Sequence, residues 1–397
     1  MGLRRNRDFL LYQAGQLLSS VGSSFSSVAY PLLVLALTHS PAQAGLVSFI
    51  RLLPFPLLGL AAGLASDRFD RKRLMLGADL LRALAMGGIA AVVWRGAGFW
   101  PIPLLALADG TGDVFFGACS SAVLRSVVPA EQLPEAVSVQ QGRAAAVGIG
   151  GPPAGGALFA VARLLPFAID AVSYAFSFLA LLAMRTPFQQ PREPRPWRIR
   201  ADLAEGFHFL WRHPFLRTTS FFYAAGNVTI PAVLFVLVVE GRHAGLSGGE
   251  IGALLAAFSA GILAGSFLGR AVRARLSLRA VVLCEAYSGL LLVAFVVCPS
   301  VWVLLAAAVP QAVVLPITDS YVIARRIAAT PDHLLGRAEA VRMTIARTAQ
   351  PLGPLAAGLL IAGASARVAV ACFLALAVAV AVYATTAPAL RDPPPLV

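Results

Sequence analysis

Charge is scarce in this chain. Asp, Glu, Lys and Arg make up only 13% of its 397 residues, and Lys72 is the only lysine. A soluble domain carries about twice that charged fraction, so a solvated globular surface over this length is excluded. Cysteine is rare too. Cys119, Cys284, Cys298 and Cys372 stand singly, without a CxxC pair, which argues against a disulfide framework and a thiolate metal site. The five histidines, at 39, 208, 213, 243 and 333, fall in or beside loops without ligand spacing. There is no GxxxxGK[ST] phosphate loop and no nucleophile–His–acid set, so neither ATP-driven work nor a membrane enzyme is supported, and no cofactor or metal is expected. The first apolar run is too long for a removable signal peptide and lacks a small-residue cleavage site.

Apolar sequence takes the place of charge. The chain is 58% hydrophobic, with a mean hydropathy of +0.77. A run of about 20 apolar residues crosses a bilayer as a helix. About twelve such runs fall near 12–37, 44–66, 74–94, 101–124, 136–161, 164–184, 215–239, 251–268, 278–297, 301–323, 338–362 and 366–386. The expected fold is an all-α integral membrane protein of about twelve helices, with short connections and no sizeable soluble domain. The net charge of +13 does not point to nucleic acid, because arginine clusters in alternate loops: Arg4/Arg5/Arg7, Arg68/Arg71/Lys72/Arg73, 185–212, Arg270/Arg273/Arg275/Arg279 and Arg325/Arg326/Arg337. The opposite loops hold only Arg95, Arg163, Arg242 and Arg367. By the positive-inside rule the rich loops and both termini are cytoplasmic, with attraction to anionic lipid headgroups as a secondary effect.

A stretch rich in Gln, Pro and Arg after Arg185 divides the runs six and six. This gives an N-terminal bundle over 1–184, a cytoplasmic linker over 185–214 and a C-terminal bundle over 215–397. Within the linker, Phe207, Leu210 and Trp211 share one face of an amphipathic helix suited to the membrane interface. The halves also repeat. One constant shift carries Pro129 onto Pro331, Leu133 onto Leu335, Gly151 onto Gly353, Pro152 onto Pro354, Gly156 onto Gly358, Gly59 onto Gly261, Gly63 onto Gly265 and Arg68 onto Arg270. Parallel six-helix repeats of this kind are an architecture of alternating-access transporters.

Three groups of residues carry candidate chemistry. The loop after the second run contains Gly63, Asp67, Arg68, Arg71 and Lys72, with Asp67 and Arg71 one helical turn apart. The fifth run carries Gly151-Pro152-Pro153-Ala154-Gly155-Gly156, where small residues permit close helix approach and proline removes a backbone donor. Within the fourth run, Asp109 and Asp113 lie at i and i+4, and Arg51 on the second run reaches a similar depth. Two acids near one base form a natural proton-binding site; the same pattern also suits a fixed Arg51–Asp109 packing bridge. Asp113, deeper and with less obvious compensation, is the better proton carrier. Asp79 and Arg82, one turn apart, are expected to satisfy each other, and Asp319 is expected to bridge to Arg347. Glu285 has no evident partner.

The 63–72 loop resembles the signature between the second and third helices of the major facilitator superfamily, with Asp70 in place of the usual glycine. The glycine–proline stretch resembles the antiporter motif of the superfamily's exporting branches. Further segments, Thr38–Gly45, Val128–Leu133, Gly206–Pro214 and Pro331–Arg337, are similar to the enterobactin-exporter and macrolide-efflux branch. The resemblance implies that the loop Asp meets the eleventh helix and holds the cytoplasmic side shut. The loop arginine's usual partner, an acid at the inner end of helix four, is replaced here by Ser120 and Ser121, leaving Glu131 or Glu135 to substitute. It also implies a cavity lined by helices one, four, seven and ten, offering Ser23, Tyr30, Phe116, Tyr223, Asn227 and Tyr321. The implied activity is proton-coupled efflux of small amphipathic molecules such as siderophores, macrolides or other drugs by a monomer in a bacterial inner membrane. Its partners would be substrate, protons and membrane lipids. A lipid or lysolipid flippase, or an uncoupled facilitator, is the alternative on the same fold, and a non-transporting sensor a weaker one.

Overall fold

A computed structural model describes residues 6–188 and 199–391. Every regular element among them is helical. Many starts are legible in the sequence as caps. Asn6, Ser40, Asp70, Ser277 and Ser365 each accept a hydrogen bond from the backbone N–H three residues on, satisfying a donor that the first helical turn leaves free. Proline opens several other helices, where its missing N–H costs nothing.

The first unit comprises Met1–Arg195 together with Gly245–Ala256. Its helices are α1 (Arg7–Thr38), α2 (Pro41–Leu52), α3 (Pro54–Arg68), α4 (Arg71–Arg95), α5 (Pro101–Val127), α6 (Leu133–Val161) and α7 (Leu165–Ala183). The second apolar run is thus two helices, divided where Pro54 cannot donate to the preceding turn. α1 packs on α6 and α7, α4 on α5 and α7, and α5 on α2 and α3. Tyr12, Met75, Phe116, Cys119, Val123 and Leu181 form part of its core.

The second unit holds Pro196–Ala244 and Ala257–Val397. It contains α8 (Ile199–Arg212), α9 (Pro214–His243), most of α10 (Gly248–Arg273), α11 (Leu278–Ser288), α12 (Val293–Val297), α13 (Val301–Ala329), α14 (Asp332–Ala349), α15 (Leu352–Gly363) and α16 (Ala366–Thr386). α9 is central, touching α13, α14, α15 and α16. The face expected on α8 divides: Leu210 turns into the core at 2% exposure, while Phe207 and Trp211 stack on each other outside, ring centroids 5.4 Å apart.

Eleven helical spans among the described residues are long and apolar enough to cross a membrane, two of them, 41–68 and 278–297, built from consecutive shorter helices. The run expected over 338–362 is broken near Pro351 into α14 and α15. With 12 residues, α15 is only about 18 Å long, short of a bilayer core. Large apolar side chains such as Leu84, Leu104, Phe267 and Val382 point outward, as lipid-facing helices require.

Candidate functional site

The site is built on five residues of α5, Asp109-Gly110-Thr111-Gly112-Asp113. A methyl group on Gly110 would collide with the Arg51 carbonyl oxygen of α2; one on Gly112 would meet the Arg82 side chain and the Ala78 carbonyl of α4. The two glycines therefore let α5 abut both neighbours, and the flanking acids meet the arginines that those neighbours carry. Arg51 Nε donates to Asp109 Oδ2 at 2.8 Å, and Arg82 Nε lies 3.3 Å from Asp109 Oδ1. Arg82 Nη2 lies 3.4 Å from Asp113 Oδ1. The Asp109 side chain is fully buried, whereas that of Asp113 is 40% exposed. Burying these charges is tolerable because each guanidinium has a carboxylate and an aromatic face. The Arg82 guanidinium sits 4.1 Å from the Tyr174 ring centroid, and that of Arg51 sits 5.1 Å from Tyr30.

Hydroxyls from α1 extend the network to α7. Ser26 Oγ donates to Asp170 Oδ2 at 2.5 Å, Ser23 Oγ and Tyr174 OH are 2.8 Å apart, and Ser173 Oγ donates to the Asp170 carbonyl. Gly22 permits this contact, since a side chain there would strike Ser173 and Asp170.

Two sequence expectations change here. Asp79 and Arg82 do not satisfy each other. Arg82 turns to the α5 acids, and the buried Asp79 carboxylate faces the Ser177 hydroxyl without forming a close hydrogen bond. Nor is Asp113 uncompensated, because Arg82, which the sequence reading assigned elsewhere, is its partner. The Asp-Gly-x-Gly-Asp spacing was the available signal for that second arginine: a glycine beside each acid marks a close helix on each side.

The 63–72 loop is tied together within the first unit. Asp70, in the glycine's place, caps α4 by accepting from the Arg73 N–H at 3.1 Å. Arg71 is buried and donates to the Ser66 carbonyl at 2.9 Å, with Asp67 Oδ1 at 3.3 Å and the Phe188 carbonyl at 3.5 Å. Backbone oxygens thus do the work expected of Glu131 or Glu135. Lys72 Nζ donates to the carbonyls of Met184 at 2.7 Å and Leu182 at 3.2 Å, closing the C-terminus of α7. Arg68 is exposed, and a side chain at Gly63 would meet no atom within 4 Å.

On α6 the small residues are needed. Side chains at Gly151 and Gly155 would strike Ser24 and the Phe25 backbone of α1. Gly156 lies against Gly248, and the Pro152 carbonyl against Gly252, on the opening turns of α10 that belong to the first unit.

Of the six cavity candidates, Ser23, Tyr30 and Phe116 lie in the first unit and Tyr223, Asn227 and Tyr321 in the second. Tyr30 is 2% exposed and packs edge-on against Phe167, and Phe116 lies in the first unit's core. Ser23 is engaged with Tyr174. The Tyr321 hydroxyl donates to the Leu276 carbonyl at 2.6 Å and lies 3.0 Å from that of Arg273, at the end of α10. Half-buried Asn227 donates to the Tyr223 carbonyl, and the Tyr223 side chain shares its surroundings with Asp319 and Arg326. Asp319 has Tyr223, Arg326 and Arg342 as neighbours, and Glu285 has Thr318.

A family model described as transmembrane secretion effector matches residues 4–392. The chain is 31% identical to the multidrug efflux pump Tap of Mycobacterium tuberculosis, over 95% of this chain and 92% of that one. It is 28% identical to macrolide efflux protein A of Streptococcus pyogenes, over 45% of each. Among solved structures, a bacterial homologue of the iron transporter ferroportin, in its inward-facing state, superposes with a TM-score of 0.76. That match has 18% identity and covers 97% of this chain and 99% of the other.

Proposed function

Because the chain belongs to the transmembrane secretion effector family of major facilitator transporters, and is therefore a multi-pass transport protein of the bacterial cell membrane rather than an enzyme, we propose that it exports small amphipathic molecules, drugs among them, in exchange for protons. The names of the efflux relatives support the substrate class. The observation that carries proton coupling is the unequal exposure of two carboxylates on one arginine: Asp109 is fully buried, and Asp113 is 40% exposed while still touching Arg82. A proton arriving on Asp113 releases Arg82 to Asp109 without leaving any buried cation unpaired. The cost of switching is thereby kept small. Asp113 is the carrier in this reading, Asp109 the fixed counter-ion, and Arg51 the second cation paired with Asp109. The arginine-rich loops and both termini face the cytoplasm, and the chain works as a single copy.

The test uses inverted vesicles with an acid interior reported by a quenched fluorescent amine. Added macrolides, siderophores or dyes should release protons with the native chain and not with Asp113→Asn. Proton release that is unchanged in Asp113→Asn sinks this assignment of the carrier.

A further inference from the structure

The second unit contains a cavity of about 260 Å³ that the transport reading leaves without a role. Leu210 of α8, Leu216 of α9, Ile323 and Ile327 of α13 and Ala338 of α14 supply apolar walls. Ser220, Arg326, Thr330, Glu339 and Arg342 supply polar ones. Its volume falls below the range usual for drug-sized ligands and suits a small headgroup. Arg342 is already engaged by Glu339, to which it donates through Nε at 2.8 Å and also through Nη2. Arg326 is different. It is 7% exposed, its guanidinium lies 5.6 Å from the Tyr223 ring centroid, and neither Nε nor Nη1 has a hydrogen-bond acceptor. Glu339 and, more weakly, Asp319 contribute negative charge at longer range, with Arg342 opposing them, and leave those two nitrogens unserved. A guanidinium buried with open donors is costly, and its planar fork matches a phosphate.

The surroundings indicate where the phosphate would come from. α8 places Leu210 in the cavity wall while Phe207, one turn earlier, and Trp211, the next residue, remain 46% and 44% exposed and stacked. Trp211 also meets Phe221 of α9 edge-on. An exposed aromatic ridge on an amphipathic helix is the usual companion of a membrane interface, and a free cytosolic anion has no need of one. We propose that this cavity binds an anionic phospholipid, its phosphodiester on Arg326 and the start of an acyl chain against Leu216, Ile323 and Ile327. The site is independent of which carboxylate carries the transported proton.

The test is native mass spectrometry of the full chain in mild detergent, titrated with dioleoyl phosphatidylglycerol, with the phosphatidylcholine of the same chains, and with glycerol 3-phosphate. Phosphatidylglycerol should stay bound under conditions that strip phosphatidylcholine. Arg326→Gln should weaken its retention about tenfold or more, as loss of a charged hydrogen bond does. Ile327→Trp, on a half-exposed position at the cavity wall, should do the same with no change in charge and with little demand on folding. Equal retention of the two lipids overturns the proposal, as does native retention in Ile327→Trp. Displacement of the lipid by millimolar glycerol 3-phosphate would mean a soluble phosphate ligand and would overturn the lipid assignment.

Discussion

Replacing Asp109 with Asn separates structure from coupling in this cluster. The native carboxylate is fully buried and receives both Arg51 and Arg82. Removing its charge leaves Arg51, only 21% exposed, without a counter-ion, and leaves Arg82 dependent on the longer Asp113 contact. Breaking a buried pair costs roughly 3–5 kcal/mol. Asparagine keeps the shape and one acceptor, so the lower end, about 3 kcal/mol, applies. For a unit of this size each kcal/mol moves the midpoint by roughly 2–4 °C, giving an expected fall of roughly 6–12 °C. Asp113→Asn removes a half-exposed carboxylate 3.4 Å from one nitrogen, an interaction of about 1 kcal/mol or less. It should leave the midpoint within about 4 °C of native while abolishing proton release. Fluorescence-detected size exclusion after stepwise heating in detergent measures both. A double variant adds a control: Arg51→Gln should cost less in the Asp109→Asn background than alone. Equal midpoint shifts for the two aspartate variants would refute the division into a sealed counter-ion and an open carrier.

Gly155→Ala should lose about 1–3 kcal/mol by forcing the Phe25 backbone away. Gly150→Ala, five residues earlier with no atom in reach, should be neutral or gain up to about 1 kcal/mol of helix propensity; the same heating assay compares them. Lys72→Met should lower the midpoint by about 2–4 °C through two uncapped α7 carbonyls, with Lys72→Arg restoring part of it, and no shift in Lys72→Met would remove the capping role. With the termini inside, Cys298, exposed at the turn before α13, should react with an impermeant maleimide added to whole cells. Buried Cys119 should remain unlabelled until denaturation, and labelling of Cys298 only in inverted vesicles would reverse the topology.

The sequence disclosed what depends on local chemistry. The apolar runs follow from each segment's own composition; the Pro54 break within the run over 44–66 and the caps at Asp70 and Ser277 are equally local but went unread. It was weaker where a long side chain chooses among several helices. Arg82 lies one turn from Asp79 yet reaches across to α5, because Gly112 brings that helix within its span. Tyr30 was legible only as an aromatic on the first run; its 2% exposure beneath the Arg51 guanidinium depends on α2 packing against it. Arg326 was legible only as one member of a basic loop. Its lack of acceptors is a property of the surroundings that α9, α13 and α14 build around it.

The ion-paired quartet has an electrical consequence. Arg51, Arg82, Asp109 and Asp113 carry two positive and two negative charges, so as a group they are invisible to first order to a voltage across the membrane. One added proton gives the quartet a net charge of +1. A unit charge crossing a full 100 mV drop exchanges about 2.3 kcal/mol with the field. Under the proposed proton exchange, the quartet gains a unit charge when Asp113 is neutral, and a negative cell interior then draws that charge inward, the direction in which the exchanged proton would travel.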